Sequence, residues 1–255
     1  MITKATNLNV RLWGTKGEAV VLIHGNNEAN SEYTWLHQHD LAEHYHLLVP
    51  DRRGYGASTP IERKGFEDNV QDILALIGTG AHLVGSSYGG IIALLAAAQK
   101  PEVVYSLTVI EPPAFGIARG HQEVEEIIEC MRPLYTTVPK LTPEEFIYGF
   151  VRALGGQLLK PIKLSPEYRK AIIATMTEPP PWEARIPIDT LAMARFPKLV
   201  VSGGWHPAFE AVADLLAQYV GMERAIIRGA GHQVQNIGKP LNDRLETLWK
   251  TACLT

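Results

Sequence analysis

The stretch of this chain richest in chemistry is Gly85-Ser86-Ser87-Tyr88-Gly89, set between an apolar run ending near Val84 and a small-residue helical pattern over Gly90–Gln99. A serine with glycine two places to either side, at a strand-to-helix turn, is the pattern of an exposed nucleophile. The glycines let neighbouring backbone approach a turn that is itself strained. The turn also puts Ser87 at a helix N-terminus, where free N–H groups favour developing negative charge. The Tyr88 N–H is then one donor of an oxyanion hole. Ser86 is a hydroxyl in the same turn, but its flanking glycines are wrongly spaced.

A serine hydroxyl needs a base. His232, in Gly229-Ala230-Gly231-His232-Gln233-Val234 after the last strand pattern, suits that part because an imidazole titrates near working pH. Early in the chain, Ile23-His24-Gly25-Asn26-Asn27 follows another apolar strand. Gly25 lets that loop turn back, offering the Asn26 N–H as the second oxyanion donor, a group typically worth about 3 kcal/mol. His24 reads as a structural hydrogen-bonding residue. A carboxylate must then orient the base. Glu111 ends the apolar strand Val104–Ile110 at the edge expected to lie beside Ser87, with Glu210 and Asp214, further along a helix, in reserve.

The elements that must position these residues alternate. Strand patterns cover Leu8–Trp13, Ala19–Ile23, His46–Val49, Ala81–Val84, Val104–Ile110, Lys198–Ser202 and Arg224–Ile227, separated by longer helical stretches. That rhythm predicts an α/β fold, a mostly parallel central sheet with helices on both faces. Gly14-Thr15-Lys16-Gly17 reads as a hairpin-like turn giving an antiparallel start. Between about Pro112 and Leu191 the rhythm breaks. Helical patterns at Gln122–Met131, Pro143–Leu154 and Pro166–Met176 are divided by Pro133, Pro139, Pro161 and Pro179-Pro180-Pro181. The organisation expected is a core of 1–111 and 192–255 carrying a helical cap insertion, 112–191.

Composition narrows the partners. A net charge of −3 gives no basic field for nucleic acid or an anionic membrane. Two cysteines, Cys130 and Cys253, are too few for a disulfide framework and fit reduced thiols. No signal pattern opens the chain, and no apolar run reaches the ~20 residues of a membrane span. A soluble, cytoplasmic protein is the expectation. His37, His39, His44 and His46 cluster without a carboxylate or cysteine at metal spacing, so no metal is expected. Gly203-Gly204 and Gly229-Ala230-Gly231 complete no dinucleotide fingerprint, and no Walker lysine is present. No cofactor is implied.

Taken in order, His24-Gly25-Asn26, Asp51-Arg52-Arg53-Gly54-Tyr55-Gly56-Ala57-Ser58, Gly85–Gly89, Glu111-Pro112-Pro113 and Gly231-His232 resemble the α/β-hydrolase superfamily over essentially the full length. In that superfamily the acid often follows the strand here read as Lys198–Ser202, yet the loop Gly203-Gly204-Trp205-His206-Pro207 holds a histidine there. The alternative placement, after the preceding strand, falls on Glu111. The His24-Gly25-Asn26 loop and this acid position are similar to haloalkane dehalogenases, whose nucleophile is an aspartate, so Ser87 disfavours dehalogenation. A Ser–Glu–His set so placed also resembles zearalenone-type lactonases. The Asp51–Ser58 run resembles a structural loop and is assigned no catalytic part.

The resemblance implies ester or lactone hydrolysis through an acyl-enzyme, on a small, mainly hydrophobic substrate. Asn27, Trp35, Phe115, Leu134, Tyr135, Phe146, Phe150, Trp182 and Trp205 are candidate pocket residues, with Met131 and Phe209 beside them. C–C bond hydrolysis, cofactor-free peroxide chemistry, a lyase reaction, a slowly turning ligand receptor and a decayed enzyme remain alternatives on the same fold. Exposed apolar residues of the insertion are compatible with a homodimer.

Overall fold

Strands β2 (Ala19–Ile23), β4 (Ala81–Ser86) and β5 (Val104–Ile110) are apolar almost without interruption, so both of their faces must be covered. In the computed structural model, which describes residues 8–59, 65–158 and 161–252, they form the centre of a seven-stranded sheet. Residues 1–7, on which the expectation of no signal pattern falls, and Cys253 lie outside the described residues, and Cys130 is exposed. The remaining strands are β1 (Val10–Trp13), β3 (His46–Pro50), β6 (Lys198–Ser202) and β7 (Glu223–Ile226). Their order is β1-β3-β2-β4-β5-β6-β7, with β1 antiparallel to β3 and every other pairing parallel.

The antiparallel start is present, but not as a hairpin. β1 pairs with β3 (Val10 opposite Pro50), which separates it from β2. The Gly14–Gly17 turn instead crosses the entry to β3. A Cβ on Gly14 would lie 2.3 Å from the Tyr45 carbonyl oxygen, and one on Gly17 would lie 1.9 Å from that of His44. His46 secures the crossing through a 2.8 Å contact of Nδ1 with the Gly14 carbonyl.

The helices are α1 (Ser31–Thr34), α2 (Phe66–Ile77), α3 (Tyr88–Gln99), α4 (Gln122–Thr136), α5 (Pro143–Ala153), α6 (Pro166–Met176), α7 (Ile188–Met193), α8 (Pro207–Leu215) and α9 (Lys239–Ala252). One sheet face buries Val21, Ile23 and Leu83 against residues of α2, α3, α4 and α8. Val20, Leu22 and Val84 on the other pack with Trp35 and the α9 residues Leu241, Leu245 and Trp249. The segment between β5 and β6 is helical, carrying α4 to α7. Helix α4 runs through Pro133, where a break was expected. It ends one turn later, and the Pro133 carbonyl accepts from Thr137 N–H at 3.0 Å and from both threonine hydroxyls of that turn. Leu134 and Tyr135 are therefore helical residues.

Register decides where the chemistry meets. Ile23 lies opposite Gly85, Ser86 opposite Ile110, Ile110 opposite Val201, and Ser202 opposite Ile226. Five parallel strands thus end along one edge, and their following loops carry Asn26, Ser87, Glu111, Trp205 and His232.

The loop after β3 is anchored by Asp51, a buried carboxylate. It accepts from Ser31 N–H at 2.8 Å, Ser31 Oγ at 2.7 Å, Ala57 N–H at 3.0 Å and Asn9 Nδ2 at 2.8 Å, and it pairs with Arg11 at 3.0 Å. Burial pushes its pKa up, but the hydrogen bonds from Ser31, Ala57 and Asn9 outweigh it and hold the group down at about 2. A depressed folded pKa contributes stability that is complete above the ordinary carboxylate range and is lost as pH falls toward 2. Asp51→Asn is expected to unfold at lower urea at pH 7, by roughly 2 kcal/mol. Its stability should also fall less steeply than wild type between pH 5 and pH 2. Urea titrations at four pH values check both.

Candidate active site

The Ser87 turn is built by strand–helix geometry. β4 ends at Ser86, α3 begins at Tyr88, and Ser87 joins them at φ 52°, ψ −125°, in the left-handed region that costs a non-glycine residue energy. Its N–H is tied to the Ile110 carbonyl at 2.8 Å. The flanking glycines are required by space. A Cβ on Gly85 would sit 2.3 Å from the Gly89 carbonyl oxygen, and one on Gly89 would sit 2.3 Å from that of Ile23. Gly25 is packed as closely, since its Cβ would lie 2.8 Å from that of Ser87. The Asn26 loop therefore rests directly on the serine. Ser86 is turned away, its hydroxyl bonded to Gln235 Oε1 at 3.2 Å.

His232 Nε2 stands 3.0 Å from Ser87 Oγ, and its Nδ1 lies 3.5 Å from Glu111 Oε2. Glu111 is 0% exposed and, like Ser87, has positive φ (48°). Its Oε1 accepts from Gly203 N–H at 2.5 Å and its Oε2 from Trp205 Nε1 at 2.9 Å. Trp205, expected as pocket lining, is thus a partner of the carboxylate, and its ring lies edge-on to His232 at 5.6 Å. The reserve carboxylates are engaged elsewhere. Glu210 bonds Ser202 Oγ at 2.9 Å and Gly204 N–H at 3.1 Å and pairs with Arg224, which also holds Asp214 at 2.9 Å. His206, where an aspartate was expected, caps α8, its Nδ1 accepting from Ala208 N–H at 3.2 Å. Burial lowers its pKa, with Glu111 opposing and His232 reinforcing, so the neutral, accepting ring is favoured.

Two spaces flank Ser87. A narrow chamber of 20 Å³ is lined by Asn26, Ser87, Tyr88 and His232 together with aromatic and aliphatic side chains, Phe115, Met131 and Phe209 among them. A wider lobe of 170 Å³ is lined by Asn27, Glu28, Tyr168, Gln233 and Gln235 as well as Ile147 and Val151. Asn26, Ser87, His232, Phe150 and Leu154 line both. Of the expected pocket residues, Phe115, Tyr135, Phe150 and Asn27 line these spaces. Trp35 does not, being buried with Val20, Leu22 and Trp249 under the face that α9 covers. Leu134 packs onto Gly149 between α4 and α5, and Phe146 is buried in the same helical cluster. Trp182 lines a separate surface depression with Gly116 and Arg185 while touching Tyr135 edge-on.

Arg52 is the residue sequence reasoning missed. It is 1% exposed, and its guanidinium donates to the His24 carbonyl at 2.9 Å, the Gly25 carbonyl at 2.9 Å, Asn26 Oδ1 at 2.7 Å and Glu178 at 2.5 Å. Tyr55 Oη donates to the other Glu178 oxygen at 2.8 Å and meets Thr175 Oγ1 at 3.0 Å. Thr175 in turn accepts from Asn27 N–H at 3.1 Å. His24 belongs to this frame, with Nε2 accepting from Arg52 N–H at 2.8 Å. The one signal available was an arginine beside a loop that needed holding. Glu28, also missed, is raised above the usual carboxylate range by burial, which a hydrogen bond from Thr34 and the charges of His232 and Arg52 only partly offset.

The sequence pattern described as the alpha/beta hydrolase family matches residues 20–240. The chain belongs to that family. A Gibberella zeae "AB hydrolase superfamily protein" is 43% identical over 99 residues, covering 36% of this chain and 35% of its own. The pimeloyl-[acyl-carrier protein] methyl ester esterase of Aliivibrio fischeri strain MJ11 is 34% identical over 119 residues, 46% of each chain. The matches thus span less than half the length of these curated relatives. A structure reported for carboxylesterases of Nitrososphaera gargenis superposes with a TM-score of 0.70 at 16% identity, covering 96% of this chain and 95% of its own, which is a likeness of fold.

Breaking the buried pair from one side leaves an uncompensated charge, which costs about 3–5 kcal/mol. Arg52→Met is expected to lose stability on that scale in urea unfolding. Adding Glu178→Gln to it should recover a measurable part, because the stranded carboxylate is then gone.

Proposed function

We propose that this chain is a serine hydrolase that cleaves a carboxylic ester or lactone of a small, mainly hydrophobic substrate through an acyl-enzyme. The observation that carries the reading is the 3.0 Å approach of His232 Nε2 to a Ser87 hydroxyl held at a helix N-terminus, with buried Glu111 behind the imidazole. In this reading Ser87 Oγ attacks the carbonyl carbon while His232 Nε2 takes its proton. The Asn26 and Tyr88 amides hold the oxyanion, each worth roughly 3–4 kcal/mol in the transition state. Imidazolium then protonates the departing alkoxide, leaving the acyl group on Ser87. A water, deprotonated by the same nitrogen, attacks the acyl-enzyme and releases the acid.

Glu111 supports the cationic ring formed in both half-reactions. Its full burial leaves its interaction with that ring little screened, and the Gly203 and Trp205 donors orient it. The helical stretch 112–191 acts as a cap, supplying Phe115, Met131, Tyr135 and Phe150 to the chamber beside Ser87. The ester-cleaving name of the Aliivibrio relative favours the ester reading. Expression in the cytoplasm fits the two-cysteine composition.

Hydrolysis of short-chain p-nitrophenyl esters and small lactones tests this. Ser87→Ala is expected to lower kcat by roughly 10⁴-fold or more, and Glu111→Gln by about 10³–10⁴-fold. Asp214→Asn should leave kcat unchanged. Equal turnover by wild type and Ser87→Ala would sink the serine mechanism.

A further inference from the structure

Apart from Asn26, Ser87, His232 and the two tyrosine hydroxyls, the chamber beside Ser87 is lined by apolar side chains. Tyr135, on the last turn of α4, lines it, and its phenol oxygen is shielded from solvent with no hydrogen-bond partner among the described residues. Leaving a buried hydroxyl unpaired costs roughly 1–3 kcal/mol, so such a group calls for an explanation. Its ring is wedged edge-on against Trp182 at 5.2 Å and Phe146 at 6.1 Å, which fixes where the oxygen lies. Glu178 is near enough to perturb Tyr135, but its two oxygens are already taken by Arg52 and Tyr55. The other tyrosine of the chamber is satisfied, since Tyr88 Oη donates to the Pro179 carbonyl at 3.1 Å. Burial pushes the Tyr135 phenol well above its ordinary pKa, so it stays protonated and able to donate.

We propose that Tyr135 is a specificity-determining residue whose phenol donates a hydrogen bond to an oxygen on the acyl arm of the substrate, making oxo- or hydroxy-acyl esters the preferred class over plain alkanoates. The inference rests on the serine-hydrolase reading for which arm enters the chamber. Asn26, Ser87 and His232 line both spaces, but Tyr88, whose amide holds the carbonyl oxygen with that of Asn26 in that reading, lines only this chamber, and Gln233 and Gln235, just past the histidine that protonates the leaving oxygen, line only the lobe. In this inference the acyl arm runs toward Tyr135 and the alcohol toward the lobe. The chamber's 20 Å³ is about the room of one water, so an acyl chain enters by displacing the apolar lining, and an acceptor oxygen on that chain replaces the partner that Tyr135 lacks.

Binding without turnover separates this inference from the reaction itself. Calorimetric affinities of Ser87→Ala and of Ser87→Ala with Tyr135→Phe are compared for methyl pentanoate, methyl hexanoate and their 3-, 4- and 5-oxo counterparts. At least one oxo ester is expected to bind the Tyr135 protein roughly tenfold tighter than its alkanoate, with the advantage lost in Tyr135→Phe while alkanoate affinity holds. Tyr135→Phe should also melt no lower than its parent, because the oxygen removed has no structural partner. Equal affinities for both sets, no binding by any oxo ester, or a lower melting temperature for Tyr135→Phe overturns the inference. Turnover of alkanoates without an oxo preference would leave the serine mechanism standing and this inference refuted. An oxo preference in a protein that hydrolyses nothing would do the reverse.

Discussion

The buried guanidinium of Arg52 is the interaction on which the geometry around Ser87 depends. It faces two carbonyls and a side-chain amide of the 24–26 loop, and its charge is answered by Glu178 from beyond α6. A loop that has left the sheet cannot satisfy its own backbone oxygens within it. Arginine solves this with several donors on one rigid plane. The same plane lies 4.6 Å from the Tyr55 ring centre, so the ring that orients Glu178 also supports the cation it pairs with.

A second constraint is backbone strain gathered in one place. Asn27, Ser87 and Glu111 are the non-glycine residues with positive φ among the described residues, and all three follow parallel strands at the same edge. Each conformation is unfavourable alone and persists because its surroundings leave no alternative. Ser87 is fixed by Ile110 and the α3 N-terminus, Glu111 by Val201 and Gly203, and Asn27 by Thr175. The helical segment between β5 and β6 therefore does more than cover the edge, since Thr175 and Glu178 brace its first loop.

Much of this was legible in the chain wherever the determinant is local. The Ser87 turn announces itself within five residues, and the parallel strands do so through unbroken apolar runs. Glu111 was legible because strand-end placement narrows the choice among carboxylates. What escaped depends on pairing across long separations. Arg52 and Glu178 are 126 residues apart, and neither carries a motif that names the other. Trp35, Leu134, Phe146, Trp182 and Trp205 are large and apolar, which says they will be buried but not beside what. The Gly14–Gly17 turn has hairpin chemistry, yet the strand it would close against is displaced by β3. Local turn preference yields there to the parallel pairing of β2 with β3 and β4.

The order of the site along the chain has a bearing on biosynthesis. Ser87 and Glu111 follow adjacent strands and come together once β4 and β5 pair. His232 follows β7 and precedes α9. A nascent chain thus exposes a hydroxyl and a carboxylate long before it holds an imidazole to join them. On the ribosome, the half-made fold has an edge where β6 and β7 have yet to dock, and it lacks the base of the proposed mechanism. β7, at one end of the sheet, is thus the strand that brings His232 to Ser87, so in the proposed mechanism its docking and the onset of reactivity are one event.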